Sequence, residues 1–208
     1  MTSQVLDPQH WEVQYEAGGE PWETGRPSSE LQRVLSEYRL RPCAALEFGC
    51  GTGNSAVWLA QQGFQVTAID LSPLAIRQAR QRALIAGVCV DFRVGDVTNP
   101  STILAGFEFF FDCGCYHAVR QANGPGYLHT LVHTLRPGAH GLVLLGNAGE
   151  PADEIGPPVL TEQQVRAEWN QHFDILHLRP FRFDARHADE KHYLGWSCWL
   201  QKNARSSR

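Results

Sequence analysis

The sequence predicts an α/β fold, a mostly parallel sheet with helices on both faces. Three observations predict it. Short apolar runs alternate with segments of helical periodicity through the middle of the chain. The first run, residues 44–48, is almost wholly apolar, as suits a strand buried on both faces. Each run is followed by glycine or aspartate, residues that carry a chain out of a strand into a turn.

The elements follow in order. Residues 1–43 are polar and aromatic, with Trp11, Tyr15 and Trp22. Ser29 and Gln32 have the spacing of a helix-start capping box, so a helix is expected from there to about residue 40, stopped by Pro42. After the strand at 44–48, residues 53–62 read as a helix with Ala56, Leu59 and Ala60 inward. A second strand spans 65–69 and ends in Asp70. Ser72 can cap a helix that has Pro73 in its first turn. That helix places Ile76, Ala79, Ala83 and Ala86 on one face and stops at Gly87. Residues 89–94 give a third strand before Gly95-Asp96, and 107–111 a fourth before Asp112-Cys113-Gly114. A helix over 127–135 is expected to stop at Pro137-Gly138, and 141–145 is the fifth strand. Thr161 and Gln164 form another capping box for a helix reaching Asn170. The runs 173–178 and 193–200 are strand-like and could pair as an antiparallel hairpin at one sheet edge.

A chain of 208 residues suits a single domain, 1–208, with a buried core. Hydrophobic residues at 43% and charged residues at 19% argue against disorder. A net charge of −4 leaves no electrostatic footprint for nucleic acid or an anionic membrane. No apolar run approaches the roughly 20 residues needed to span a bilayer. Met1-Thr2-Ser3-Gln4 does not begin a signal peptide. The 6 cysteines are read as reduced thiols. A cytoplasmic protein is expected, as a monomer or small homo-oligomer, with no nucleic-acid or membrane partner.

The segment Glu47-Phe48-Gly49-Cys50-Gly51-Thr52-Gly53-Asn54 follows a strand and opens a helix. Glycines there let backbone approach a ligand, and the helix start favours polar or anionic groups. Dinucleotide sites prefer G-x-G-x-x-G; here the glycines are Gly49, Gly51 and Gly53, with Asn54 in the third dinucleotide position. Glu47 has little reason to meet a pyrophosphate and good reason to sit near a cationic amino-acid ligand. S-adenosylmethionine carries a sulfonium and an ammonium and no phosphate. Asp70, about 20 residues after Gly49, can accept hydrogen bonds from ribose hydroxyls. Asp96 can accept one from an adenine amino group. All three acids fall at the carboxyl ends of strands, where open α/β sheets bind ligands. The plain alternative is that they are turn residues.

The run 46–53 resembles motif I of class I S-adenosylmethionine-dependent methyltransferases. The likeness continues through Ala68-Ile69-Asp70-Leu71-Ser72, Gly95-Asp96-Val97 and Leu135-Arg136-Pro137-Gly138. Trp11 to Tyr15, then Pro21-Trp22-Glu23-Thr24-Gly25-Arg26-Pro27, resembles the start of the thiopurine, thiol/halide and tellurite-resistance methyltransferase group. Asp112-Cys113-Gly114-Cys115-Tyr116-His117 and Gly156-Pro157-Pro158-Val159-Leu160 are similar to further segments of that group, though many of its members carry Arg at the place of Cys113 and His at that of Tyr116. The resemblance implies a Rossmann-like, seven-stranded, mostly parallel sheet with an antiparallel C-terminal hairpin. It also implies that residues 1–43 cover the cofactor site. The cofactor-binding set expected is Trp11, Tyr15, Trp22, Glu47, Gly49, Cys50, Gly51, Gly53, Asn54, Asp70, Leu71, Asp96, Val97, Asp112 and Cys113.

The expected reaction is methyl transfer to a small-molecule acceptor: a thiol, another soft nucleophile or a carboxylate. The donor is already activated, so the protein mainly positions and desolvates the acceptor. His117, beyond the fourth strand, is the candidate base; the other reading is a hydrogen-bonded histidine at a helix start. Arg26 could hold an anionic acceptor or lie on the surface after a turn. Trp22 and Tyr15 could exclude water or stack on a cation, and could equally pack the N-terminal segment. Cys50, Cys113 and Cys115 could gather around a soft element or zinc, but Cys113-x-Cys115 has the wrong spacing for a zinc knuckle; no metal is expected. Arg179, Arg182, Arg186, His187 and His192 could line the acceptor mouth or form a solvated loop. The competing functions are an NAD-binding oxidoreductase and a non-catalytic nucleoside-binding relative of the fold.

Overall fold

A computed structural model describes residues 4–18, 22–152, 156–187 and 191–204. Met1-Thr2-Ser3 and Pro21, used above, lie outside the described residues. After a 3₁₀ turn at Gln4–Leu6, the elements are α1 (Pro8–Ala17), α2 (Ser29–Tyr38), β1 (Ala44–Phe48), α3 (Asn54–Gln61), β2 (Gln65–Asp70), α4 (Pro73–Ala86), β3 (Asp91–Val94), β4 (Phe107–Cys113), α5 (Cys115–Thr134), β5 (Leu135–Asn147), β6 (Val159–Leu160), α6 (Glu162–Trp169), β7 (Phe173–Arg182) and β8 (Leu194–Lys202). The sheet runs β3-β2-β1-β4-β5-β8-β7, with the short β6 beside β5. β1 to β6 pair in parallel; β8 runs antiparallel to β5 and to β7. The expected Rossmann-like sheet and C-terminal hairpin are present, and β6 adds one strand to the seven expected.

The strand pattern divides the core. On β4, Phe109 and Phe111 face one cluster with Ala45, Leu59, Ile76, Ala79, Leu142 and Leu144. Phe107 and Phe110 face the other with Leu46, Phe48, Tyr127, Val143, Leu145 and Trp169. Successive side chains of a strand point to opposite faces, so each apolar strand supplies both cores at once. Burying each such large side chain contributes roughly 1.5–3 kcal/mol before the ordering entropy is subtracted.

Several boundaries differ from expectation. The α2 cap is Ser28, whose Oγ accepts from the Leu31 amide at 3.3 Å. Ser29 instead bonds elsewhere, described below. α5 begins twelve residues before its expected start, because Asp112 answers its first amides, and it kinks where Asn123 leaves helical geometry (φ −157°, ψ 56°). β5 begins at Leu135, ahead of Pro137-Gly138; the missing proline N–H falls where the β4–β5 register shifts. α1 carries no apolar stripe and was not expected; Asp7 caps it and it packs on α4. The α4 cap at Ser72, the left-handed stop at Gly87 and the capping box at Thr161 and Gln164 are as expected.

Candidate active site

The sheet order reverses between β1 and β4, leaving a crevice beyond their carboxyl ends. The glycine loop after β1 borders it. Its glycines have three different neighbourhoods. Gly49 (φ +61°) packs on α5, and a Cβ there would lie 2.6 Å from Cys115 Cβ. Gly53 (φ +82°) packs on Ala79 and Phe92. Gly51 (φ +53°) is the open one, where a Cβ would meet only Tyr15, its hydroxyl at 3.0 Å. Close approach to a ligand therefore belongs to Gly51, and close packing to the other two.

Three buried carboxylates surround this loop. Asp70 accepts from the amides of Gly51 (2.8 Å) and Ser72 (2.9 Å), one on each oxygen. Each oxygen keeps a second lone pair for a ribose hydroxyl. Asp112 is fully buried; it takes the amides of Cys115 and Tyr116, each at 2.9 Å, and the Tyr127 hydroxyl, so it serves the start of α5. Glu47 Oε2 is buried without a hydrogen-bond partner. Burial pushes the Glu47 carboxyl well above the usual range, and Asp112 and Asp70 push it further. A cation placed beside it would remove that penalty. The loop thus fits S-adenosylmethionine: Glu47 would meet positive charge, Gly51 would give room, and Asp70 would accept from ribose. Asp96 accepts from Thr98 N and Oγ1, both at 2.8 Å, through Oδ1. Leu71 is half-buried beside Asp70, whereas Val97 is buried in the core.

The N-terminal segment crosses this crevice. Glu23 accepts from Asn54 Nδ2 at 2.6 Å and from the Thr52 hydroxyl, with Arg82 at 3.9 Å. Arg26 donates to the Ala185 carbonyl at 2.7 Å. Ser29 donates to Asp184 from its amide (2.8 Å) and hydroxyl (2.7 Å). Glu12 takes the Leu74 amide at 2.8 Å and the Ser72 hydroxyl at the start of α4. Tyr15 is buried; Trp22 is 48% exposed and meets Trp11 edge-on at 6.0 Å. Trp11 itself donates to the Val5 carbonyl at 2.9 Å. Residue types alone did not single out Glu12, Glu23 or Asp184. Replacing Glu23 with Gln keeps its shape and removes its charge. We expect S-adenosylhomocysteine affinity to fall about 3–10-fold by calorimetry with stability within about 1 kcal/mol of wild type; unchanged affinity would show that the latch does not matter.

On the acceptor side, Cys113 is exposed, Cys115 is half-buried and Cys50 is buried; all are free thiols. Burial raises the Cys50 thiol well above its ordinary value. Among the described residues, no group of three or more His, Cys, Asp or Glu side chains is disposed to hold a metal. Arg179 pairs with Glu37 at 2.7 Å, Arg182 with Glu150 at 2.8 Å, and His192 Nδ1 meets the Phe183 carbonyl, so these three serve the β7–β8 region. His117, in the first turn of α5, receives the Gly146 amide on Nδ1 at 3.0 Å. Burial lowers its pKa from 6.5 to about 4.

This has a consequence for stability. His117 stays neutral when folded, so its contribution is complete above pH 6.5 and is lost as pH falls towards 4. Asp112 has the opposite sign: burial raises it from 3.8 to about 7, so its contribution is complete below 3.8 and is lost as pH rises through 7. Between these limits unfolding moves a proton from Asp112 to His117, and the two slopes cancel. His117→Asn removes one slope. In urea unfolding, the variant is expected to gain about 3 kcal/mol on wild type between pH 7 and pH 4. A gap independent of pH would contradict the neutral buried ring.

The reversed strand order, glycine loop and carboxylates define a class I S-adenosylmethionine-dependent methyltransferase. The chain belongs to the thiopurine S-methyltransferase family, whose model matches residues 6–199. It is 28% identical over 167 residues to 2-heptyl-1-hydroxyquinolin-4(1H)-one methyltransferase of Mycobacteroides abscessus, covering 79% of this chain and 73% of that one. It is 26% identical over 157 residues to probable thiol methyltransferase 2 of Arabidopsis thaliana, covering 71% and 65% of the two chains. A structure solved in work on the conversion of a disulfide bond into a thioacetal group during echinomycin biosynthesis superposes with TM-score 0.82 and 26% identity, over 96% of this chain and 94% of that one. The 1,6-didemethyltoxoflavin-N1-methyltransferase of Burkholderia thailandensis, 23% identical with TM-score 0.73 over 96% and 88% of the chains, shares the fold. Family membership replaces the oxidoreductase and non-catalytic alternatives: the protein is a methyltransferase, and its methyl donor is S-adenosylmethionine.

Proposed function

We propose that the acceptor is a small molecule carrying a thiol, another soft nucleophile or a carboxylate. The observation that carries this is the N-terminal segment tied across the crevice, at Thr52 and Asn54 on one side and at Asp184 and Ala185 on the other. A covered crevice suits a small acceptor. The relatives named above, a thiol methyltransferase and a hydroxyquinolinone methyltransferase, support the same class.

The donor supplies a methyl group already activated on sulfonium sulfur. Glu47, Gly51, Asn54, Asp70, Leu71 and Asp96 would hold it, with Tyr15, Trp11 and Trp22 closing over them and Gly49, Cys50, Gly53, Val97 and Asp112 supporting the loop from behind. Cys113 and His117 face the acceptor. Arg26 positions the covering segment through Ala185. Holding two reactants in line can contribute about 7–11 kcal/mol of barrier reduction. We further propose one catalytic unit, with residues 1–43 as its cover, working as a monomer or small homo-oligomer in the cytoplasm without nucleic acid. Among the described residues no helix is long and apolar enough to cross a membrane, and the net charge is −4.

The test is methyl-labelled S-adenosylmethionine offered with thiols, carboxylates, amines and metalloid oxyanions. Labelled thioether or ester is expected. Transfer to amines alone, or to none of the panel while S-adenosylhomocysteine binds, would overturn the acceptor class.

A further inference from the structure

We propose that Arg82, on α4, is a positioning residue for the methyl donor: it fixes Thr52 so that the glycine loop and the covering segment engage each other. The proposal rests on the covering role given above to residues 1–43 and goes beyond it.

The loop needs an anchor at this point. Thr52 stands between Gly51 (φ +53°) and Gly53 (φ +82°), so the backbone on either side of it is free to turn. Gly53 packs closely on α4, where a Cβ would stand 2.8 Å from Ala79 Cβ, and this brings the helix against the loop. Arg82 follows Ala79 by one turn and lies on the same side of α4. Its guanidinium meets Thr52 twice: Nε donates to the carbonyl and Nη2 to Oγ1, each at 3.0 Å. A planar fork makes two such bonds at once, and a lysine ammonium has no fixed fork. The other arginines of α4 act elsewhere. Arg80 donates to the Phe92 carbonyl at 2.8 Å, and the charge of Arg77 acts on Glu12.

The fork also sets a direction. A hydroxyl has one proton to give, and a guanidinium can only donate. Thr52 Oγ1 therefore accepts from Arg82 and turns its proton away. That proton goes to Glu23 Oε2, in the covering segment. Glu23 Oε1 takes Asn54 Nδ2 at 2.6 Å and the Gly25 amide at 2.9 Å. Thr52 is buried, so water does not compete for its hydroxyl. The direct ion pair matters less: Arg82 Nη2 stands 3.9 Å from Glu23 Oε1, the Arg82 side chain is 36% exposed, and pairs of this kind contribute little. Arg82 thus acts on the cover through Thr52. At its other end α4 begins after Ser72, whose amide donates to Asp70 at 2.9 Å, so one helix holds both parts of the donor site.

Two variants of the full-length protein test this. Arg82→Lys keeps the charge and loses the fork. Thr52→Val keeps the shape and loses the hydroxyl. Each is expected to weaken S-adenosylhomocysteine roughly 5–30-fold by calorimetry. Each should also speed amide hydrogen exchange in residues 22–29 while β1 and β4 keep wild-type protection. The double variant should lose less than the product of the two single losses, because both side chains serve one path. Affinity within about twofold of wild type in either variant overturns the proposal. So do losses that multiply, and so does unchanged exchange in residues 22–29. Faster exchange across the whole sheet makes Arg82 merely structural and overturns it too. Glu23→Gln separates the proposal from the reading beneath it. Unchanged affinity and exchange in that variant remove the cover itself, and a loss there that Arg82→Lys does not share removes Arg82 alone.

Discussion

Asp70→Ala is expected to abolish binding of S-adenosylhomocysteine, with a loss of at least about 100-fold against an expected micromolar wild type. Two effects act together. The ribose loses its acceptor, and the amides of Gly51 and Ser72 lose theirs. Each unanswered amide costs about 1–3 kcal/mol, so the loop would reorganise before a ligand arrives. Gly51 is the one glycine of the loop with room beside it, and its orientation depends on Asp70. Asp70→Asn retains one carbonyl oxygen and should fall between. Calorimetry measures both, with thermal unfolding as a control for the fold. Alanine binding within about threefold of wild type would remove Asp70 from the site.

Gly49→Ala should damage the fold as well as the site. The residue has φ +61°, a left-handed conformation costly for any side chain. The new methyl would also lie 2.6 Å from Cys115 Cβ, an atom fixed close to the α5 backbone. Conformational cost and overpacking together amount to about 2–4 kcal/mol. Gly51→Ala gives the contrast, because its methyl meets only the flexible end of Tyr15. It shares the left-handed cost at φ +53° but escapes the overpacking, so it should be the more stable of the two variants and still lose the ligand. Urea unfolding separates the two variants. Equal stabilities would mean that the contact between the loop and α5 carries no weight.

The parts of the fold legible in the sequence were those with local signals. Ser72, Pro73 and Gly87 bracket α4, and the apolar run 44–48 is β1 to the residue. The parts that were not legible depend on residues far apart in the chain. The amides at the start of α5 are met by Asp112 from the preceding strand, while Asn123-Gly124-Pro125-Gly126 conceals the first half of that helix. β5 is long because β8, about 55 residues later in sequence, supports it across seven paired positions from His140 to Gly146. The site divides the same way. Glu47, the glycines and Asp70 are spaced along one β-α-β stretch and could be read directly. That Gly146 fixes the His117 ring, and that Ser29 meets Asp184, follows only from tertiary pairing. Glycine spacing marked the loop but could not show that two of its three glycines face protein.

The segment from Glu23 to Ser29 has one end on the glycine loop and the other on the β7–β8 connection, which the proposed site assigns to donor and acceptor. In that arrangement it would be a shared component of both binding equilibria. Whatever free energy one ligand contributes to holding it down, the second ligand need not supply. Linkage makes this reciprocal: the factor by which donor tightens acceptor binding equals the factor by which acceptor tightens donor binding. A variant that cuts the hydrogen bonds at either end of the segment is then expected to weaken both ligands together.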